Sequence, residues 1–211
     1  MPKAPPSHTP AKRRFEVHGT ALNQAIRKEW ETFETFSPSA MPMTSLAFTA
    51  IDQVEGNRDN MIEVLLAYVD TDTLCYRSEK SEMLGEQKKQ WDPLLAWAGD
   101  RYSALWQTTT GIMPLEQSAV LHEAIREHLA TLDSMRLTAC GMLASGYSSL
   151  VLALAVLDKK LSAIEALRLS LLEEDLQAKQ WGIDEEADEK KQQMQEEIMV
   201  TSRFLDLLER P

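Results

Sequence analysis

Along most of the chain, apolar residues recur at spacings of three and four, the period of helices that turn one face inward. From Thr20 onward, Leu22, Ile26, Trp30 and Phe33 form one such stripe, with Thr20 placed to cap it. Phe36 to Met41 reads as a turn, and Pro42 suits the first turn of a second helix carrying Leu46, Phe48, Ile51 and Val54. After the break at Gly56-Asn57, a third helix from about Arg58 carries Met61, Leu65, Tyr68 and Cys75 along one side. A fourth begins near Ser81 and is expected to stop at Trp91-Asp92-Pro93, because proline disfavours helix at the residue before it, while Asp92 would cap the next helix. Leu105 to Thr110 reads as one short extended piece, ended by a turn at Gly111 and Pro114.

The second half is more regular. Glu116 to Leu132 is amphipathic through Leu121, Ile125, Leu129 and Leu132. Ser134 is placed to cap a long apolar helix, within which Leu137 to Leu157 runs 21 residues without a charge. That length would cross a bilayer. Its first half nevertheless carries Thr138, Gly141, Ser145, Gly146, Ser148 and Ser149, and no basic cluster or aromatic belt brackets it, so a central helix wrapped by others is expected, with no membrane insertion. Ser162-Ala163-Ile164-Glu165 is a capping box opening a helix that Gly182 would close, which puts Glu173 and Glu174 midway along it. Asp184 would start the last helix, running to about Leu208. No fixed-period repeat is visible, so the fold class is mainly α, a helical bundle and not a solenoid.

Composition adds a sign to this picture. The 211 residues are 44% apolar, enough for a real core, and 33 acidic against 22 basic residues give a formal charge of -11, which repels nucleic acid and anionic lipid. The charge is uneven: Met1 to Trp30 holds six basic and two acidic residues, and Glu173 to Pro211 holds twelve acidic and five basic, an acidic end that suits a basic partner surface. Cys75 and Cys140 sit among apolar neighbours and suggest neither disulfide nor zinc, so a reducing compartment is expected. The Pro-rich start, residues 1–17, contains no apolar core of a signal peptide and ends in a short strand-like piece, Arg13 to Val17.

Catalytic patterns are sparse. His122-Glu123 with His128 lacks the four-residue spacing that puts two imidazoles on one helix face, so surface histidines and no metal are expected. Asp70-Thr71-Asp72-Thr73 after the run Leu65 to Val69 resembles the Asp-x-Asp-x-Thr phosphatase arrangement, with the first carboxylate as nucleophile and the second handling the proton. That hydrolase reading, through Asp70 and Asp72, needs a parallel sheet that the helical period does not supply. No Gly-rich phosphate loop is present and no cofactor is implied. Asp72 and Arg77 flank the apolar string Leu74-Cys75-Tyr76, so they should pair with each other or with buried backbone groups. The five tryptophans, at 30, 91, 97, 106 and 181, are expected in the core, Trp30 among them as part of the first stripe.

Six ordered strings carry a resemblance. They are Met41-Pro42-Met43-Thr44-Ser45-Leu46 with Thr49-Ala50-Ile51-Asp52; Thr71-Asp72-Thr73-Leu74-Cys75-Tyr76-Arg77; Gln90-Trp91-Asp92-Pro93-Leu94-Leu95-Ala96-Trp97; Gly111-Ile112-Met113-Pro114; Ser149-Leu150-Val151-Leu152-Ala153-Leu154; and Leu172-Glu173-Glu174 with Gln180-Trp181-Gly182. Together, over about residues 18–208, they resemble the mitochondrial and alphaproteobacterial ATP synthase assembly chaperones that bind the free alpha subunit of the soluble catalytic head. The resemblance implies a non-enzymatic protein, acting as a monomer in the bacterial cytoplasm or mitochondrial matrix, with the alpha subunit as partner. It also implies an N-terminal β-rich domain, of which residues 1–17 would be a remnant ahead of the helical domain, 18–211. The region sensitive to change in this family falls here on Glu173, Glu174, Gln177 and Trp181, the residues expected to contact the partner; Lys179 stands where many relatives carry an acid.

Overall fold

In the structure, a computed structural model, the described residues are 4–33, 35–111, 114–181 and 185–209, with the side chains of 179–181 and 185–187 outside that set. Ten α-helices lie among them: α1 Thr20–Thr32, α2 Pro42–Thr49, α3 Arg58–Thr71, α4 Ser81–Tyr102, α5 Ala119–Thr131, α6 Ser134–Tyr147, α7 Leu150–Leu157, α8 Ala163–Ser170, α9 Leu172–Trp181 and α10 Glu185–Glu209. Two strands of two residues each, β1 Tyr76–Arg77 and β2 Thr109–Thr110, pair in parallel. The mainly helical reading holds. No helix among the described residues is long and apolar enough to cross a membrane.

Helix α6 is the centre, packed by α2, α3, α7, α8 and α10. Its approach to α3 is close enough that a side chain at Gly141 would collide with the end of Met61. Around α6 and α7 lies the main core, with Leu65, Val69, Trp91, Leu121, Ile125, Leu143 and Leu152 among its buried members. A smaller cluster joins the two ends of the chain, as Leu22 and Ile26 of α1 and Met43, Leu46 and Ala47 of α2 meet Ala139 and Phe204. Trp30 packs half-buried against that cluster, with its indole N–H buried and unpartnered among the described residues.

Several boundaries differ from the sequence reading. Gly19, at φ 104°, precedes α1, so Thr20 is its first residue and not its cap. Asp133 and not Ser134 caps α6, its carboxylate accepting from the Arg136 N–H at 2.8 Å. α2 continues as a π-helical turn, Ala50–Val54, and Cys75 lies beyond α3 in a 3-10 turn. α4 runs through Pro93 to Tyr102 without a break. One lost backbone hydrogen bond is outweighed there by Trp91, Leu94, Leu95 and Ala98, which bury one continuous helical face.

The largest difference is the long apolar run, which is two helices and not one. Ser148 takes a left-handed conformation at φ 49°, and Ser149 caps α7 by accepting from the Leu152 N–H at 3.1 Å. A buried tether fixes this break. The fully buried Asp72 carboxylate accepts the Ser149 hydroxyl at 2.8 Å, the Val151 N–H at 2.9 Å and the Leu74 N–H at 3.0 Å. Next to it, the Thr73 N–H and hydroxyl donate to the Ser148 carbonyl at 3.0 and 2.8 Å. The segment leaving α3 therefore satisfies both a carbonyl at the end of α6 and the free N–H groups at the start of α7.

A second remote carboxylate repeats the device. Glu29 of α1 accepts the N–H groups of Met43 and Thr44, each at 2.8 Å, and the Thr44 hydroxyl at 2.6 Å, capping α2 from another helix. Residues 7–15 form a small turn with an antiparallel bridge between His8 and Arg14. Asp52 holds that turn through the Thr9 hydroxyl and the Ala11 N–H.

Two outcomes follow. Asp72→Ala strands a buried hydroxyl and at least two buried N–H groups, so urea denaturation should show a loss of about 3 kcal/mol or more. Burial pushes the Asp72 carboxyl up to about 6, so the folded state holds a proton there that the unfolded chain releases near pH 4. Its contribution is therefore full below about pH 4 and shrinks as pH rises through 6; the stability gap to Asp72→Ala should narrow by roughly 2 to 3 kcal/mol over that window. Trp30→Arg, which puts a charge against the smaller cluster, should lose about 3 kcal/mol in the same assay and reduce soluble yield.

Candidate functional site

The acidic string Leu172-Glu173-Glu174-Asp175 opens a helix of its own. α8 starts on the expected capping box, Ser162 with Glu165, but ends at Leu171. The reason lies in a neighbouring helix: the fully buried Trp91 donates its indole N–H to the Leu169 carbonyl at 3.0 Å, the group that residue 173 would have bonded in a continuous helix. Ser170 also turns its hydroxyl back onto the Leu167 carbonyl at 2.9 Å. The helix therefore restarts, with the Asp175 N–H reaching Leu171 at 2.9 Å. Glu173, Glu174 and Asp175 occupy its first turn, where carboxylates meet unpaired N–H groups and the positive end of the helix dipole. This corrects the expectation that the acid pair sits midway along a helix.

The three acids have different surroundings. Glu173 is half-buried and accepts from Nε2 of Gln87, a fully buried residue of α4 whose Oε1 accepts the Ser78 N–H at 2.8 Å. Burial raises the Glu173 carboxyl and the charge of Glu174 adds to that, while the Gln87 bond opposes both. Asp175 pairs with Lys191 of α10 at 2.6 Å. Glu174 is exposed, as is Gln177, which follows Glu173 by four residues and Glu174 by three, so that all three share one helix face. Trp181 ends α9, with its side chain outside the described residues, as are Gly182 and Asp184, the expected helix stop and start. Gln87 escaped the sequence reading. Its signal is a polar residue three after Leu84 and four before Trp91, on the apolar stripe itself.

On the other side of Trp91, Arg77 donates to Asp92 at 2.7 Å with its guanidinium 5.2 Å over the Trp91 ring. Arg77 is thus paired to α4 and not to Asp72, and Asp92 is an ion-pair partner in the middle of α4, not a cap. Pro93 follows it inside the same helix.

The hydrolase geometry is not assembled. Asp70 accepts the Gln117 N–H at 2.8 Å and meets His122 Nε2 at 3.0 Å, while Asp72 has no exposure and its oxygens are taken by the α7 tether. The loop follows a helix and not a strand. His128, expected on the surface, is half-buried with its ring edge-on to Tyr102 at 5.3 Å, and burial lowers its pKa. Among the described residues no group of three or more His, Cys, Asp or Glu is placed to hold a metal.

Comparison with known proteins agrees with the fold and the strings. The family model for the ATP12 chaperone protein matches residues 5–99. Protein atp12, mitochondrial, of Schizosaccharomyces pombe is 29% identical over 180 residues, which cover 80% of this chain and 62% of that protein. The chain thus spans less than two thirds of that relative's length. The crystal structure of Atp12 from Paracoccus denitrificans and that of a mutant of the same protein are 34% identical to the chain, cover 95% of it and 87% of their own length, and superpose with TM-scores of 0.90 and 0.91. The chain belongs to the ATP12 chaperone family, the ATP synthase assembly chaperones that its ordered strings resemble.

Proposed function

We propose that the chain is an assembly chaperone of the proton-transporting ATP synthase that binds the free alpha subunit until the beta subunit replaces it. The observation that carries this reading is the 34% identity to Paracoccus Atp12 over 87% of that protein, on the same fold. An unassembled subunit exposes apolar surface that its neighbours later cover, and such surface drives aggregation. A holding protein needs a stable body and an exposed recognition face, and no bond is made or broken. Its place of work is the bacterial cytoplasm or the mitochondrial matrix, and it acts as a monomer.

The face proposed to meet the alpha subunit is the first turns of α9, with Glu174 and Gln177 exposed, Glu173 held beneath them by Gln87, and Trp181 at the far end of the helix. Because the first turn of a helix already favours acids, the contact role rests on the exposure of Glu174 and Gln177, not on the presence of the pair.

Single replacements separate the two roles. Glu174→Lys should fold, with a stability change below about 1 kcal/mol, yet fail to co-purify with tagged alpha subunit, because reversing a charge at a matched interface adds repulsion. Glu173→Lys should lose about 1 to 3 kcal/mol in a denaturant melt, since it leaves the buried Gln87 amide without its acceptor. Undiminished co-purification of Glu174→Lys at low salt would leave these acids as helix caps alone.

A further inference from the structure

A groove of about 590 Å³ lies between the second half of α4 and the segment 103–108. Its apolar floor and rim include Leu95, Ala96, Leu105 and Trp106, and its charged members are Asp92 and Asp100, with no basic side chain in the lining. Asp92 is partly occupied by Arg77, whereas Asp100 is exposed and has no ion-pair partner among the described residues.

Single exposed leucines are ordinary on protein surfaces. Leu105, 84% exposed, differs because its segment is held in place. Ser103 takes a left-handed conformation at φ 52°, and the Ala104 N–H returns to the Gly99 carbonyl at 3.1 Å. A side chain at Gly99 would press on the Ala104 carbonyl oxygen at 3.3 Å, so this close return suits glycine. Farther on, the buried Gln117 side chain grips the Gln107 backbone on both sides, accepting its N–H at 2.9 Å and donating to its carbonyl at 3.0 Å. The segment thus holds Leu105 out at a fixed position, while the neighbouring Trp106 keeps a buried indole N–H with no acceptor among the described residues.

We infer that this groove is a second docking surface for the client, taking a protein segment that carries a large apolar side chain beside a lysine or arginine. The apolar residue packs on Leu105 and Trp106, and the cation meets Asp100. The inference rests on the chaperone reading above. Gln87, beneath the α9 face, and Asp92, Leu95 and Asp100, which line the groove, all belong to α4, so one helix supports both surfaces.

The test uses the full chain and purified alpha subunit. Leu105→Asp and Asp100→Lys should each weaken binding by about tenfold or more while melting like the wild type, and Leu105→Met should bind as the wild type does. Asp100→Lys guards against misfolding, since a cation in the last turn of α4 suits that helix end. If the wild type holds the alpha subunit and both disruptive variants hold it equally well, the groove is not a docking surface, though the chaperone reading stands. If the wild type does not hold the alpha subunit, both readings fall.

Discussion

The buried carboxylate of Asp72 determines how the centre of this molecule is built. A run of apolar residues from Leu137 to Leu157 would form one long helix if left to its own hydrogen bonding. Instead it is cut at Ser148 and Ser149, and each end created by the cut is satisfied from the segment after α3: Thr73 takes a carbonyl of α6, and Asp72 takes the first N–H groups of α7. After the cut α7 packs against α6, and α3, α4 and α8 pack on α7. An aspartate at zero exposure is costly unless its oxygens are bonded, and here the donors are the Leu74 and Val151 N–H groups and the Ser149 hydroxyl.

The same physical solution recurs at smaller scale. Glu29 caps α2 from α1, Asp52 fastens the N-terminal turn, and Asp70 receives the N–H of Gln117 just ahead of α5. Short helices of eight residues, such as α2 and α7, gain little from propensity alone, so remote carboxylates at their N-termini help to fix both their start and their direction. Much of the chain's acidic excess at the surface remains free for solvent or partner, but these acids belong to the framework.

What could be read from the sequence follows from which interactions are local. The helices α1, α3 and α5, the proline at the start of α2 and the capping box of α8 depend on residues within a turn or two and are found where expected, although Phe33 lies exposed past the end of α1 and α3 buries Ile62, Leu65, Leu66 and Val69 in place of the expected Met61, Leu65, Tyr68 and Cys75. The breaks at Ser148 and Leu171 depend on Asp72 and Trp91, which are 76 and 80 residues away in the chain, and the serines beside them, Ser149 and Ser170, do not mark them out among the other small polar residues nearby. Pro93 misled for the converse reason: a local rule said stop, while the buried face around Trp91 held the helix together. At the α9 face, the acids were visible as a charge cluster. That Glu173 is a supported, half-buried group and Glu174 an open one became visible only with Gln87 in place beside them.

A rigid bundle with supported acids on one short helix suits a protein whose work is to hold another and let go. Light scattering by alpha subunit diluted from denaturant, with one equivalent of this chain and no nucleotide, tests that account most directly. Scattering should be suppressed, and later addition of beta subunit should return the chain to its free form on size-exclusion chromatography. Scattering equal to that of alpha subunit alone would contradict it.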